Sequence, residues 1–236
     1  ILMRNITAFL LCLLVLQTGL TAQVLIKNTN VVDIENKKIL SGYDVVVLDG
    51  KIVSVDKGKQ FKLPPGTEVI DGTGKYLIPG FSDAHVHFFQ SGSMYARPDA
   101  IDLRKYQPYD KEIKWTHDNM EDLLRRYLAA GITSVTDVGA TYNLLAQRDT
   151  FNAKAYSPVI SMTGPLLTTY LPAPFKDLGK DAPFIEIKTT EDAVNAVKEQ
   201  LLHHPDFIKI WYIVLDSNTE TIPKQWVISM ISAPGN

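Results

Sequence analysis

From Phe81 to Trp211 the sequence alternates short apolar β-type runs with segments of helical period, the pattern of a parallel sheet joined by helical crossovers. The reading predicts a strand through Phe81–Phe88, then strands at Ile132–Val138, Val159–Thr163 and Phe207–Trp211. A first helix is predicted from Asp118 to Ala130, with Asp118 as N-cap, Glu121 as its capping-box partner and Gly131 as the stop. Leu123, Leu124, Tyr127 and Leu128 form its apolar stripe. A later helix is predicted from Glu191 to His203 behind a Thr189 or Thr190 cap. An α/β fold follows.

Ahead of this region the pattern changes to short strands alone: Val24–Ile26, Asn30–Asp33, Asp44–Leu48 and Lys51–Val55. Asp49-Gly50 between the last two is a hairpin signal, because both central residues of a type I′ turn need positive φ. Further upstream, Arg4 precedes the apolar run Ala8–Leu16 and the small-residue stretch Gly19-Leu20-Thr21-Ala22. Residues 1–22 therefore read as a secretory signal, cleaved before Gln23, which implies an exported, periplasmic or secreted protein with no stable membrane anchor. Cys12, the single cysteine, lies inside that leader, so a disulfide framework and a cysteine-zinc site are excluded from the mature chain. A net charge of −2 with no long run of one sign speaks against a nucleic-acid partner and for a small-molecule one.

Chemistry concentrates at two places. In Pro79-Gly80-Phe81-Ser82-Asp83-Ala84-His85-Val86-His87-Phe88 strand alternation sets Asp83, His85 and His87 on one face and Ala84, Val86 and Phe88 on the other. Two imidazoles on one face suit a metal. In Asp206-Phe207-Ile208-Lys209-Ile210-Trp211 the same alternation turns Ile208 and Ile210 toward the helices, and Phe207, Lys209 and Trp211 inward. An inward lysine needs an explanation. Either its stem reaches the mouth of the sheet or pairs with a carboxylate such as Asp137, or it is desolvated, neutral and able to take up carbon dioxide as an anionic carbamate. His117, read as preceding a helix, and His203-His204, at a helix end, stand apart from this group.

The Pro-Gly-Phe-x-Asp-x-His-x-His run, the Ala129–Asp137 segment and the Asp-Phe-Ile-Lys-Ile-Trp string resemble the amidohydrolase superfamily, and more narrowly its imidazolonepropionase-like and Xaa-Pro dipeptidase (prolidase) branch. The resemblance runs from Gln23 to about Trp226. It implies a small β-sandwich over residues 23–79 and, over residues 80–236, the first half of a (β/α)8 TIM-type barrel with its strands one to four. It also implies hydrolysis of amide or dipeptide carbon–nitrogen bonds through a metal-bridging hydroxide. Zinc is the implied metal, two divalent ions in the intact protein, with His85 and His87 as ligands and carboxylated Lys209 as the bridge.

The family's further histidines and its general-base aspartate have no counterpart in this sequence, so no catalytic residue is assigned. A barrel of this kind takes about 250 residues, whereas positions 81 to 236 supply 156. The resemblance thus predicts a C-terminally truncated member, inactive by itself, with residues 222–231 opening a fourth helix. Substrate choice falls to two long loops, Gln90–Thr116 and Gly164–Lys188, whose Tyr95, Tyr106, Tyr109, Tyr170 and Phe175 are candidates for a pocket wall. A mononuclear deaminase or imidazolonepropionase-type ring hydrolase is the competing enzymatic reading, and Lys209 speaks against it. A non-catalytic remnant is the competing reading of another class.

Overall fold

The computed structural model describes residues 23–213, in two compact units that divide between Pro79 and Gly80. The predicted leader and the predicted fourth helix lie outside the described residues. Among those residues no helix is long and apolar enough to cross a membrane.

The first unit is one five-stranded sheet. It contains β1 (Gln23–Asp33), β2 (Lys38–Leu48), β3 (Lys51–Asp56), β4 (Glu68–Asp71) and β5 (Tyr76–Leu77). The order is β3–β2–β1–β4, with β5 also on β1; β1–β2 and β2–β3 are antiparallel, and β4 and β5 run parallel to β1. The β2–β3 hairpin turns at Asp49 (φ 49°) and Gly50 (φ 75°), the two positive φ values a type I′ turn demands. Two predicted strands prove to be the single strand β1, because Asn28 takes φ 54° and the register shifts on either side of Thr29. Thr29 is buried, and its hydroxyl donates to the Lys75 carbonyl at 3.2 Å, which satisfies a polar group that broke the apolar pattern. Strand β2 starts at Lys38, six residues ahead of the expected Asp44, since pairing with β1 extends it through a polar stretch of weak strand propensity. A second layer, which a sandwich requires, is not among the described residues.

The second unit is built on parallel strands. β6 (Phe81–Val86), β7 (Ile132–Asp137) and β8 (Val159–Met162) form one three-stranded sheet in chain order. β9 (Leu166–Thr168) lies between β10 (Phe184–Glu186) and β11 (Ile210–Trp211) in a second. The helices are α1 (Tyr109–Asp118), α2 (Met120–Ala129), α3 (Tyr142–Leu145), α4 (Arg148–Asn152) and α5 (Thr190–Leu201). Leu124, Val135, Leu144, Met162 and Phe175 centre the main core, and Leu167, Ile187, Ala193 and Val197 form a smaller one beneath α5.

Helix boundaries differ from the sequence reading in an instructive way. Asp118 is the last residue of α1 rather than an N-cap, and His117 sits in that helix's last turn rather than before a helix. The carboxylate of Asp118 takes the Lys114 ammonium at 2.6 Å, and Glu121 takes Arg125, so local i,i+4 pairs claim both members of the expected capping box. The predicted end holds, with Gly131 at φ 78° after Ala129. At α5, Thr189 is the cap: its hydroxyl accepts from the Asp192 N–H at 3.0 Å, and the Asp192 carboxylate accepts from the Thr189 N–H at 2.9 Å.

The segment read as the loop Gly164–Lys188 contains two strands and two single 3-10 turns (Ala173–Phe175 and Gly179–Asp181). Pro165 and the threonines disguised it, but Leu166, Leu167 and Thr168 are fully buried. Of the five aromatic residues proposed for a pocket wall, Tyr109 and Phe175 pack in the core with ring centroids 5.5 Å apart, and Tyr106 is exposed.

Candidate metal centre

β6 delivers the histidines. Its pairing with β7 shifts between Asp83 and Val86, where Asp83 faces Val135 and Val86 faces Asp137, so β6 carries one more residue than its partner across this interval. The bulge breaks strict alternation. Asp83 turns its carboxylate back to accept the His85 N–H at 3.1 Å and does not line the cavity that the two histidines share. His85 and His87 remain together, with ring centroids 5.2 Å apart at an 82° interplanar angle.

β11 brings the third group. The backbone carbonyl of Lys209 accepts from the Leu167 N–H at 3.0 Å, which fixes the lysine against β9. Ile208 and Ile210 pack on the α5 cluster, while Lys209 and Trp211 line the same cavity as His85 and His87. That cavity measures about 340 Å³. Its walls include Phe89, Leu166 and Phe184 on the apolar side and Arg97 with Asp99 on the polar side. Lys209 is half-buried, less enclosed than an inward mid-strand position suggested, because only Ile210–Trp211 of the expected five-residue strand is paired. No ion pair holds it among the described residues, so the alternative of a partnership with Asp137 has no support.

Electrostatics at the site favour a neutral imidazole. Burial pushes the His87 ring below its ordinary range, and the nearby charges of His85, Lys209 and Arg97 push the same way, against the opposing hydrogen bond to Gly139. His87 Nδ1 lies 3.3 Å from the Gly139 carbonyl oxygen. A carbonyl only accepts, so Nδ1 carries the proton and Nε2 keeps its lone pair. A neutral ring with one free lone pair is the form in which histidine binds a metal.

Asp137, at the end of β7, is fully buried, and burial pushes its pKa up to about 7, against the N–H donors of Gly139 and Phe88. Two features escaped the sequence reading: the Arg97–Asp99 pair, bonded through two nitrogens at 2.8 and 2.7 Å, and Gly139. Arg97 and Asp99 lie in a loop without periodicity, so only the tertiary arrangement brings them to the cavity. The Asp137-Val138-Gly139 corner at a strand end was the one local signal available for Gly139.

Comparisons with known proteins bear on the fold and on the kind of protein that the chain resembles. No protein-family model matches the chain. Over 66 residues it is 42% identical to an adenine deaminase of Desulforamulus reducens, a stretch covering 28% of this chain and 10% of that protein. Over 73 residues it is 40% identical to a dihydroorotase of Sulfurihydrogenibium sp., covering 30% of this chain and 16% of the other. Among solved structures, a prolidase complexed with N-methylphosphonate-L-proline superposes with a TM-score of 0.62 and 26% identity, over 80% of this chain and 46% of that one. In sequence and in fold the chain is thus similar to proteins of the amidohydrolase superfamily.

The chain spans about half the length of the prolidase it superposes on, and a tenth to a sixth of the curated relatives named here. Its donor set fits a divalent metal in part. Two imidazoles converge and one is held in the ligating tautomer, yet among the described residues no group of three His, Cys, Asp or Glu comes together. Lys209 shares the cavity wall with the two histidines, and the one carboxylate on that wall, Asp99, is taken up by Arg97.

Proposed function

We propose that this chain supplies His85, His87 and Lys209 to a divalent-metal centre, and that the whole protein hydrolyses carbon–nitrogen bonds of small, dipeptide-like substrates. The convergence of those three side chains on one cavity carries the reading. The parallel strands β6 to β8 and β11 are read as the first part of a TIM-type barrel, and the five-stranded sheet as part of a small sandwich.

His85 and His87 would be the imidazole ligands, and zinc suits that donor type. A divalent ion at this place supplies Lewis-acid polarisation of a carbonyl and a more acidic water. The residues of the chain do the rest. Burial keeps His87 neutral, and the Gly139 carbonyl holds its proton on Nδ1. A protonated Lys209 would oppose a cation in the same cavity. Reaction of its neutral amine with carbon dioxide forms an N–C bond and releases a proton, which replaces that positive charge with a carbamate anion. Phe89, Phe184 and Trp211 exclude water from one side of the cavity, and a few polar groups on the other orient a small substrate.

The test is uptake of labelled carbon dioxide. With ¹³C-bicarbonate and zinc, the wild-type protein is expected to show a carbamate carbon signal and calorimetric zinc binding. Lys209→Arg should lose the signal and the second metal, because a guanidinium stays charged. Full metal content and turnover in Lys209→Arg would overturn the carbamate and leave the mononuclear deaminase class, which the identity to adenine deaminase favours. Unchanged zinc uptake in a His85→Ala, His87→Ala double variant would overturn the site itself. Export remains part of the proposal, and an intact Met3 in protein from the native host would remove it.

A further inference from the structure

We propose that Asp137 is a positioning residue for His87, acting through the Gly139 carbonyl to hold the imidazole in one orientation and one tautomer; this rests on the reading of His87 as a metal ligand. The carboxylate of Asp137 spans the two backbone segments that flank the ring. One oxygen accepts the Phe88 N–H at 3.1 Å, immediately after His87. The other accepts the Gly139 N–H at 3.0 Å, in the residue whose carbonyl takes His87 Nδ1. A third bond, from the Val138 N–H to the Val86 carbonyl at 3.1 Å, ties the same two segments together. Ring, carbonyl and carboxylate form one connected network.

Two observations set this apart from ordinary strand-end packing. The first is chemical. Two N–H donors need two acceptor oxygens at once, and a carboxylate supplies both where an amide supplies one. An acid is otherwise a poor choice for a place that is 0% exposed with no cation bonded to it. The second is steric. A Cβ at Gly139 would lie 2.9 Å from Cε1 of His87 and 2.3 Å from Leu166 Cδ1, so only glycine lets the imidazole lie against the backbone that holds it.

Metal-ligating histidines depend on the partner of their second nitrogen, and loss of such a partner lowers metal affinity by about 10- to 100-fold. The experiment uses the full chain labelled with ¹⁵N-histidine, at pH 8 without metal, with His87 assigned from a His87→Gln spectrum. Wild type is expected to show His87 with its proton on Nδ1. Asp137→Asn should shift the ring toward the mixed tautomers of free imidazole and weaken zinc binding about 10- to 100-fold by calorimetry. Leu124→Ala, a core change that neither lines the cavity nor bonds to the network, should lower the melting temperature while leaving tautomer and zinc affinity as in wild type. A wild-type ring protonated on Nε2 overturns the proposal whether or not any variant folds. So does a folded Asp137→Asn protein with the Nδ1 tautomer and zinc affinity within twofold of wild type. If His87→Gln itself binds zinc as wild type does, the metal-site reading fails instead, and the tautomer result still decides the network.

Discussion

The α/β unit buries Leu124, Leu144, Met162 and Phe175 almost completely, whereas the five-stranded sheet leaves Ile52, Val53 and Val69 more than half exposed. In the sheet, Leu25, Val45 and Val46 are the apolar residues fully buried among those described. The contrast follows from connectivity. Parallel strands require crossovers, and each crossover helix covers the sheet it returns to, while hairpin-linked strands bring no cover of their own. The metal-site candidates all lie on the covered unit, where His87 can be desolvated and Asp137 kept from water.

The sharpest test of that contrast is Leu124→Ala. Complete burial on a packed helix predicts a loss of about 3 kcal/mol by denaturant unfolding. A loss below about 1 kcal/mol would break the distinction between the units. Next comes Asp137. Its pKa is raised from 3.8 to about 7, so the folded state holds a proton between those values that the unfolded state has lost. Stability from this group is therefore greatest below pH 4 and falls as pH rises toward 7. In metal-free protein, the stability of wild type relative to Asp137→Asn should drop by up to about 1.4 kcal/mol per pH unit across that window. A flat difference would mean that the site is wetter than its burial implies.

Val45→Ala probes the sheet. Its side chain is enclosed, and a loss of about 2 kcal/mol is expected, read by hydrogen exchange in β1 and β2. Protection lost equally in β7 and β8 would show the two units opening as one. The smallest effect belongs to Val53→Thr. At 56% exposure it should change stability by less than about 0.5 kcal/mol, and a larger loss would mean that the outer face of β3 is covered in solution.

Much of the site was legible locally. His85 and His87 announce themselves by spacing, and Ile208, Lys209, Ile210 and Trp211 fall on the sides that period-two alternation assigns. Asp83 did not follow, because a bulge is a register event between two strands and leaves no mark in one of them. The capping box at Thr189 was readable within four residues, but the one expected at Asp118 lost to ion pairs on neighbouring turns. β9 was hidden for a related reason: three residues after a proline carry too little periodicity, and burial between β10 and β11 made them a strand.

The sequence by itself determined the hairpin at Asp49-Gly50, the stop at Gly131, the order of strands and helices, and the residue types able to hold a metal. Each of these depends on φ preferences, side-chain chemistry or period, which act over a few residues. Only the tertiary structure decided that Lys209 shares a cavity with residues more than a hundred positions away, and that Arg97 and Asp99 line it. It also decided which nitrogen of His87 carries the proton, because that choice depends on a carbonyl 52 residues distant. Hydrogen bonds and desolvation act through space, and the chain order that carries local preference does not encode those distances directly.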